Sequence, residues 1–184
     1  MPRQKTTREE IIRKSIQVFR EKGYYRTNMQ DLAQATGLTK GAFYHHFSNK
    51  EDVMRQALRA SVSLFEQRVF RIAYAEGLSR TEKFAQMSEK AYRAFTTGEG
   101  GCIFANTILE TVHVEASFVD ELVEFFRHWE RALEEIFRGR YGPEEMQDAV
   151  QQTIADIEGS IILMQLHRDP TYLERALARA GKKL

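Results

Sequence analysis

The sequence contains little cysteine and little proline, and both scarcities limit what the chain can be. Among its 184 residues there is one cysteine, Cys102, which excludes an internal disulfide framework and a thiolate-rich zinc site. The three prolines fall outside every segment with a periodic apolar pattern, so none of them breaks a helix. Stability must therefore come from apolar packing. A chain of this length can supply it, because it buries roughly 70% of its unfolded surface.

Long apolar runs are also missing. No segment approaches the ~20 apolar residues of a membrane span, and the N-terminus lacks the apolar stretch of a secretory signal. We therefore expect a cytoplasmic protein with no membrane partner. Phosphate-binding loops and the serine motif of hydrolases are absent as well, so we expect no enzymatic activity and no cofactor.

The net charge of +1 conceals an asymmetry along the chain. Residues 1–50 carry ten Lys or Arg and four Asp or Glu, a net charge of +6, whereas residues 51–184 carry −5. A basic segment joined to a mildly acidic remainder indicates a polyanion, such as nucleic acid, as the partner of the basic segment. A basic surface that only contacts solvent is the alternative interpretation.

Apolar residues recur every three or four positions, which is the spacing of amphipathic helices, and no segment alternates as a strand would. Polar residues three positions before an acid mark helix starts, as at Asn28 with Asp31 and at Ser48 with Glu51. We therefore predict an all-α chain. Its nine helices are expected at residues 7–22, 29–36, 40–46, 49–76, 80–97, 102–114, 118–139, 143–167 and 171–180.

The second and third predicted helices are short and are joined at Gly37, which is typical of a helix-turn-helix motif. In the third helix Phe43 and Phe47 are four residues apart, so we expect both to face a core. The opposite side carries the polar or small residues Lys40, Gly41, Ala42, Tyr44 and His45. Small residues and free N–H groups at a helix start suit contact with the anionic backbone and the base edges of a nucleic acid. A short surface helix over an ordinary aromatic core is the alternative.

The stretch from Tyr25 to Val53 carries many residues at characteristic spacing. They are Thr27, Asp31-Leu32-Ala33, Gly37, Gly41, Phe43-Tyr44, His46-Phe47 and Lys50-Glu51. With them the chain resembles the TetR family of transcriptional regulators, in detail over about residues 8–60. The resemblance implies a three-helix DNA-binding domain at residues 1–48 and an effector-binding and dimerisation domain at residues 49–184.

The resemblance also implies roles for individual residues of the DNA-binding domain. The expected phosphate contacts are Thr27, Asn28, Tyr44 and Lys50, and the expected groove-facing positions are Thr39, Lys40, Gly41, Ala42 and His45. Gly41 and Ala42 have no hydrogen-bonding side chain, so we expect base readout from Lys40, His45 and Thr39, with DNA shape adding to specificity. For Asn28 a role as helix cap alone is the alternative.

For the remainder of the chain, the resemblance implies a homodimer that binds double-stranded operator DNA and a small-molecule effector. We expect the dimer interface at Gly159, Ile162 and Leu166, with an internal core helix as the alternative. We expect the effector pocket among Phe104, Ile108, His113, Phe126 and Trp129, although aromatic residues at helical spacing more often form plain core. The protein is then a regulator, a repressor released from a palindromic operator by its effector. An activator and a DNA-binding protein without a regulatory role are the other interpretations.

Two further residue patterns give alternative functions. Glu110 and His113 have the Glu-x-x-His spacing of helical di-metal enzymes, but no second such motif occurs in the sequence. Cys102 follows Gly100-Gly101 at the expected start of a helix, a position that favours a thiolate. It resembles a junction at which some members of the family sense oxidants or electrophiles. A small buried residue is the simpler interpretation of Cys102.

Overall fold

The structure is a computed structural model, and it describes residues 7–114 and 117–184. These residues form nine α-helices and one 3₁₀-helix and contain no strand, which confirms the all-α prediction. The helices are α1 (Arg8–Lys22), α2 (Met29–Thr36), α3 (Lys40–Tyr44), α4 (Lys50–Arg68), α5 (Arg80–Thr96), α6 (Ile103–Thr111), α7 (Val119–Phe137), α8 (Pro143–His167) and α9 (Thr171–Gly181).

Several helix starts follow the local hydrogen bonding that the sequence predicts. Asn28 and Ser79 each form a capping box with the acid three residues later. The start of α4 differs from the prediction, because Asn49, not Ser48, accepts the hydrogen bond from the amide of Asp52 at 2.8 Å.

The fourth helix is shorter than predicted. It ends at Arg68, and Phe70–Tyr74 continue as a 3₁₀-helix. Phe70 and Ala73 of that segment are buried, and their i, i+3 spacing satisfies a 3₁₀ turn as well as an α turn. The third and sixth helices also stop early, at Tyr44 and Thr111, whereas they were predicted to reach residues 46 and 114.

The described residues divide into two compact units. The first contains residues up to 62 and those between 103 and 122, and the second contains residues 63–102 and 123–184. The first unit thus contains α1, α2, α3 and α6, and also most of α4. Its fully buried large side chains include Phe19, Leu32, Phe43, Phe47, Leu58, Phe104 and Phe118. A DNA-binding domain that ends at residue 48 remains a prediction.

Candidate nucleic-acid interface

The third helix, α3, has one buried side and one exposed side. Phe43 of α3 and Phe47, which follows the helix, are 0% and 1% exposed, and their ring centroids lie 5.2 Å apart. Residues with polar or small side chains on the other side are exposed or half-buried, namely Lys40, Gly41, Ala42, Tyr44 and His45. The arrangement leaves the first turn of α3 accessible to a partner.

The start of α3 is capped, and it is sterically open. Thr39 is its N-cap and accepts a hydrogen bond from the amide of Ala42 at 3.2 Å. A Cβ placed on Gly41 would meet no other part of the described chain within 4 Å. The fold itself therefore does not require glycine here, and the backbone of α3 can approach an external surface closely.

At the start of α2, Asn28 is an N-cap. Its Oδ1 accepts hydrogen bonds from the amides of Gln30 and Asp31, and Asp31 in turn accepts from the amide of Asn28. The Lys22 ammonium, which donates to Asp31 at 2.9 Å, holds the pKa of Asp31 below its ordinary value. Asn28 is exposed, so capping leaves its side-chain amide accessible.

Thr27 and Lys50, two of the expected phosphate contacts, are engaged inside the fold. Thr27 is 1% exposed, and its hydroxyl donates to the carbonyl of Gly23 at 2.6 Å. Its amide donates to the carbonyl of Tyr24 at 3.3 Å, so both donors of Thr27 are used internally. The ammonium of Lys50 donates to the same carbonyl at 2.8 Å. The bonds of Thr27 are local to the turn after α1, whereas the bond of Lys50 joins residues 26 positions apart and could not be predicted from local sequence.

The second unit contains a small cavity of about 20 Å³ that is partly open to solvent. Of the five expected pocket residues, Trp129 lines this cavity, and the ring of Phe126 stacks on Trp129 with 6.3 Å between centroids. Phe104, Ile108 and His113 lie in the first unit, so the five residues do not line one site. The lining residues that sequence reasoning missed include Phe65, Phe70, Phe84, Met87, Ser88 and Phe95. Their helical spacing was the available signal.

Cys102 is 2% exposed and lies in the second unit against the carboxyl group of Glu158. Burial raises the pKa of Glu158 to about 7, and a hydrogen bond with Cys102 partly opposes this shift. Burial and a neighbouring carboxyl group both disfavour a thiolate. The structure therefore favours the packing interpretation of Cys102 over the sensor interpretation.

The Glu110–His113 pair has no metal-site geometry. Helix α6 ends at Thr111, so His113 lies in the following turn and is exposed. One oxygen of Glu110 accepts a hydrogen bond from the amide of Tyr25 at 3.1 Å. No group of three His, Cys, Asp or Glu side chains is placed to hold a metal ion among residues 7–114 and 117–184.

One face of α8 is apolar and exposed. Ile162 and Leu166 are 51% and 72% exposed, which does not suit an internal core helix. A Cβ on Gly159 would meet no other part of the described chain within 4 Å. The exposure of Ile162 and Leu166, next to the half-buried Gly159, favours an interface over internal packing.

A short helix with an open first turn, carried on a basic three-helix segment, defines a helix-turn-helix DNA-binding protein. The model of bacterial regulatory proteins of the tetR family matches residues 11–57. The model of the LmrA/YxaF-like transcriptional regulator C-terminal domain matches residues 78–179. The chain therefore belongs to the TetR family of bacterial transcriptional regulators. Regulators of this family bind operator DNA and small-molecule effectors, act as dimers and are typically not enzymes.

Similar proteins cover nearly the whole chain. The HTH-type transcriptional repressor DhaR of Mycobacterium sp. (strain GP1) is 26% identical over 180 residues, which are 92% of this chain and 88% of that protein. A TetR transcriptional regulator from Legionella pneumophila has a TM-score of 0.87 at 19% identity, with all of both chains covered. FadR from Bacillus subtilis, solved in complex with stearoyl-CoA, has a TM-score of 0.75 at 17% identity, covering 97% of this chain and 100% of that one. Among the described residues no helix is both long and apolar enough to span a membrane.

Proposed function

We propose that this protein is a cytoplasmic transcriptional repressor that binds a palindromic operator as a homodimer and is released by a small-molecule effector. The observation that carries the DNA-binding part is the exposed first turn of α3 over the buried Phe43. Repression is supported by the name of the similar protein DhaR, a transcriptional repressor.

Within this interface, we assign base readout to the side chains that can donate or accept hydrogen bonds in the major groove. Lys40 is exposed on α3, His45 is exposed at its C-cap, and Thr39 adds a hydroxyl at its start. Gly41 and Ala42 allow close approach of the backbone. Asn28 at the start of α2 and Tyr44 at the end of α3, which is 45% exposed, belong to the same three-helix segment. Both side chains suit contacts with phosphates.

Dimerisation would use the face of α8 that carries the exposed Ile162 and Leu166 and the half-buried Gly159. A glycine in such a face lets two helices approach closely, and the flanking apolar side chains would be buried on association. Two DNA-binding domains related by twofold symmetry then read half-sites about 34–36 Å apart, or a multiple of that distance.

The effector would bind at the cavity of the second unit, which at about 20 Å³ has to widen to admit it. Its lining is mainly aromatic and aliphatic, with Ser88 as a polar member, so the ligand class it suits is an apolar molecule with few polar groups. The complex of FadR with stearoyl-CoA, whose acyl chain is apolar, supports an apolar ligand group at this place in the fold. Trp129 is the only tryptophan of the sequence and lines the cavity, so its fluorescence reports on occupancy.

The DNA-binding proposal is tested by enriching 40-base-pair duplexes from a random pool with the wild-type protein. Lys40→Ala should then change base preference and lose about 1–3 kcal/mol at the matched positions. Lys90→Ala, which removes an exposed lysine of α5 in the second unit, is the matched control and should bind as the wild type does. A wild-type protein that enriches no sequence would contradict the proposal, and equal weakening of all duplexes would make Lys40 a phosphate contact.

A further inference from the structure

Glu110 was singled out by its spacing from His113, and the proposed function does not use it. Its carboxylate accepts a hydrogen bond from the amide of Tyr25 at 3.1 Å. The carbonyl of Tyr24 accepts one from the ammonium of Lys50 at 2.8 Å. This carbonyl and this amide belong to one peptide group, which is therefore held at its two ends by opposite charges.

These two contacts are directional and reinforce each other. Hydrogen bonds to a full charge are roughly twice as strong as neutral ones. A cation at the carbonyl and an anion at the amide polarise the peptide group in the same sense, so each bond strengthens the other. The cation comes from the first residue of α4 and the anion from the last turn of α6, so three parts of the first unit meet at this peptide.

The shape of the turn after α1 fits the Glu110 carboxylate. Gly23 has φ +79°, and a Cβ built on it would lie 2.1 Å from Glu110 Oε1. The carboxylate thus fills space that only glycine leaves empty, in a backbone conformation that favours glycine. One helical turn earlier on the same face of α6, the side-chain amide of Asn106 donates to the carbonyl of Arg20 at 3.5 Å.

The held peptide lies immediately before the DNA-facing start of α2. Thr27 bonds back to the carbonyls of Gly23 and Tyr24, and Asn28 then caps α2. A shift of the Tyr24–Tyr25 peptide would therefore move the start of α2 and release the carbonyl that orients Lys50.

We propose that Glu110 is a positioning residue of the DNA-binding domain, which fixes the Tyr24–Tyr25 peptide and, through it, the start of α2 and Lys50. The inference rests on the proposed function, because it assigns the role of Glu110 to operator binding. Glu110 acts through its hydrogen-bond acceptor, and its negative charge by itself opposes DNA binding. Positioning and simple electrostatics therefore predict changes of opposite sign.

The test measures how tightly two conservative variants bind the enriched 40-base-pair duplex. Glu110→Asp keeps the charge but shortens the side chain, and we expect about tenfold weaker binding, the size of a lost hydrogen bond to a charged group. Glu110→Gln keeps the reach and the acceptor but removes the charge, and we expect binding equal to or tighter than wild type. Glu9→Ala, which removes an exposed charge from α1, measures the general electrostatic effect.

Exchange of the Tyr25 amide proton supplies a readout that needs no DNA. It should be much faster in Glu110→Asp and only slightly faster in Glu110→Gln, which keeps a neutral acceptor at the same reach, with circular dichroism establishing that both variants are folded at the assay temperature. Operator affinity of Glu110→Asp at the wild-type value, or weakening by Glu110→Gln equal to that by Glu110→Asp, would overturn the inference. A wild-type protein that enriches no duplex counts against the proposed function instead, and the amide exchange still tests the hold on the turn.

Discussion

One turn of the first unit and the cavity of the second unit are built from different kinds of interaction. In the first unit, the turn after α1 is fixed by hydrogen bonds to the full charges of Lys50 and Glu110. In the second, the ring of Phe125 packs against Phe65, Phe70 and Trp129 at centroid distances of 5.3–5.8 Å. Charge-assisted hydrogen bonds are directional and fix orientation, whereas apolar packing fills volume and tolerates a cavity. The turn that precedes the proposed DNA-binding helices uses the directional kind, and the surroundings of the cavity use the other.

The largest effect is expected where the aromatic packing is densest. Phe125 is 0% exposed, and Phe125→Ala should lower the free energy of unfolding by about 3–5 kcal/mol, as for other buried Phe-to-Ala changes. Phe126→Ala removes a half-buried neighbour and should cost less. Urea unfolding followed by circular dichroism measures both, and equal losses would contradict a cluster centred on Phe125.

A buried carboxyl group should make the second unit sensitive to pH. Because the pKa of Glu158 is raised to about 7 in the folded protein, the folded state binds more protons than the unfolded state between pH 4.5 and 7. Stability should therefore fall as the pH rises through this window, by on the order of 3 kcal/mol.

Glu158→Gln should remove most of that pH dependence and stabilise the protein at pH 8. Glu134→Gln, at an exposed position of α7, should leave the dependence in place. Free energies of unfolding at pH 5 and pH 8 compare the two variants. A Glu158→Gln protein that loses stability with pH as the wild type does would show that another group titrates.

What the sequence could predict is what local chemistry determines. The start of α2 follows from Asn28 and Asp31, three residues apart, and the buried side of α3 follows from the spacing of Phe43 and Phe47. The end of α4 could not be predicted, because apolar spacing suits an α-helix and a 3₁₀-helix alike. The internal bonds of Lys50 could not be predicted either, since they join residues 26 positions apart.

The position of the cavity also could not be predicted from the sequence. Aromatic spacing identifies Trp129 as an inward residue, but which other helices surround it depends on tertiary packing. Phe104 has equally good spacing and is fully buried, yet it lies in the first unit. Periodicity therefore finds core residues without telling which of them border an opening.

A substitution in the proposed dimer face should have an effect of intermediate size and leave the fold of the protomer intact. Nothing outside α8 lies within 4 Å of a Cβ at Gly159, so Gly159→Leu should not disturb the protomer. In the proposed dimer it should overpack a close helix contact at a cost of roughly 1–3 kcal/mol per subunit. Sedimentation velocity should show helical monomers. The control Ala85→Leu, on the exposed side of α5, should stay dimeric, and a dimeric Gly159→Leu protein would place the interface elsewhere.

The smallest expected effect separates stability from DNA binding within α3. Gly41 is the second residue of the helix, and a Cβ there meets no other part of the described chain within 4 Å. Alanine should therefore stabilise the helix, by at most about 1 kcal/mol and by less in a first turn. The same methyl group would stand between the backbone of α3 and the DNA, so affinity for the enriched duplex should fall.

Thermal unfolding and binding of the enriched duplex should therefore move in opposite directions for Gly41→Ala. This opposition distinguishes a glycine retained for the approach of a partner from one that the fold requires, such as Gly23 with its φ of +79°. For Gly23→Ala we expect both stability and DNA affinity to fall, because the fold is strained before any DNA is bound. If Gly41→Ala gains stability and keeps wild-type affinity, the backbone of α3 does not approach the DNA at this residue, and readout rests on the side chains of Lys40 and His45.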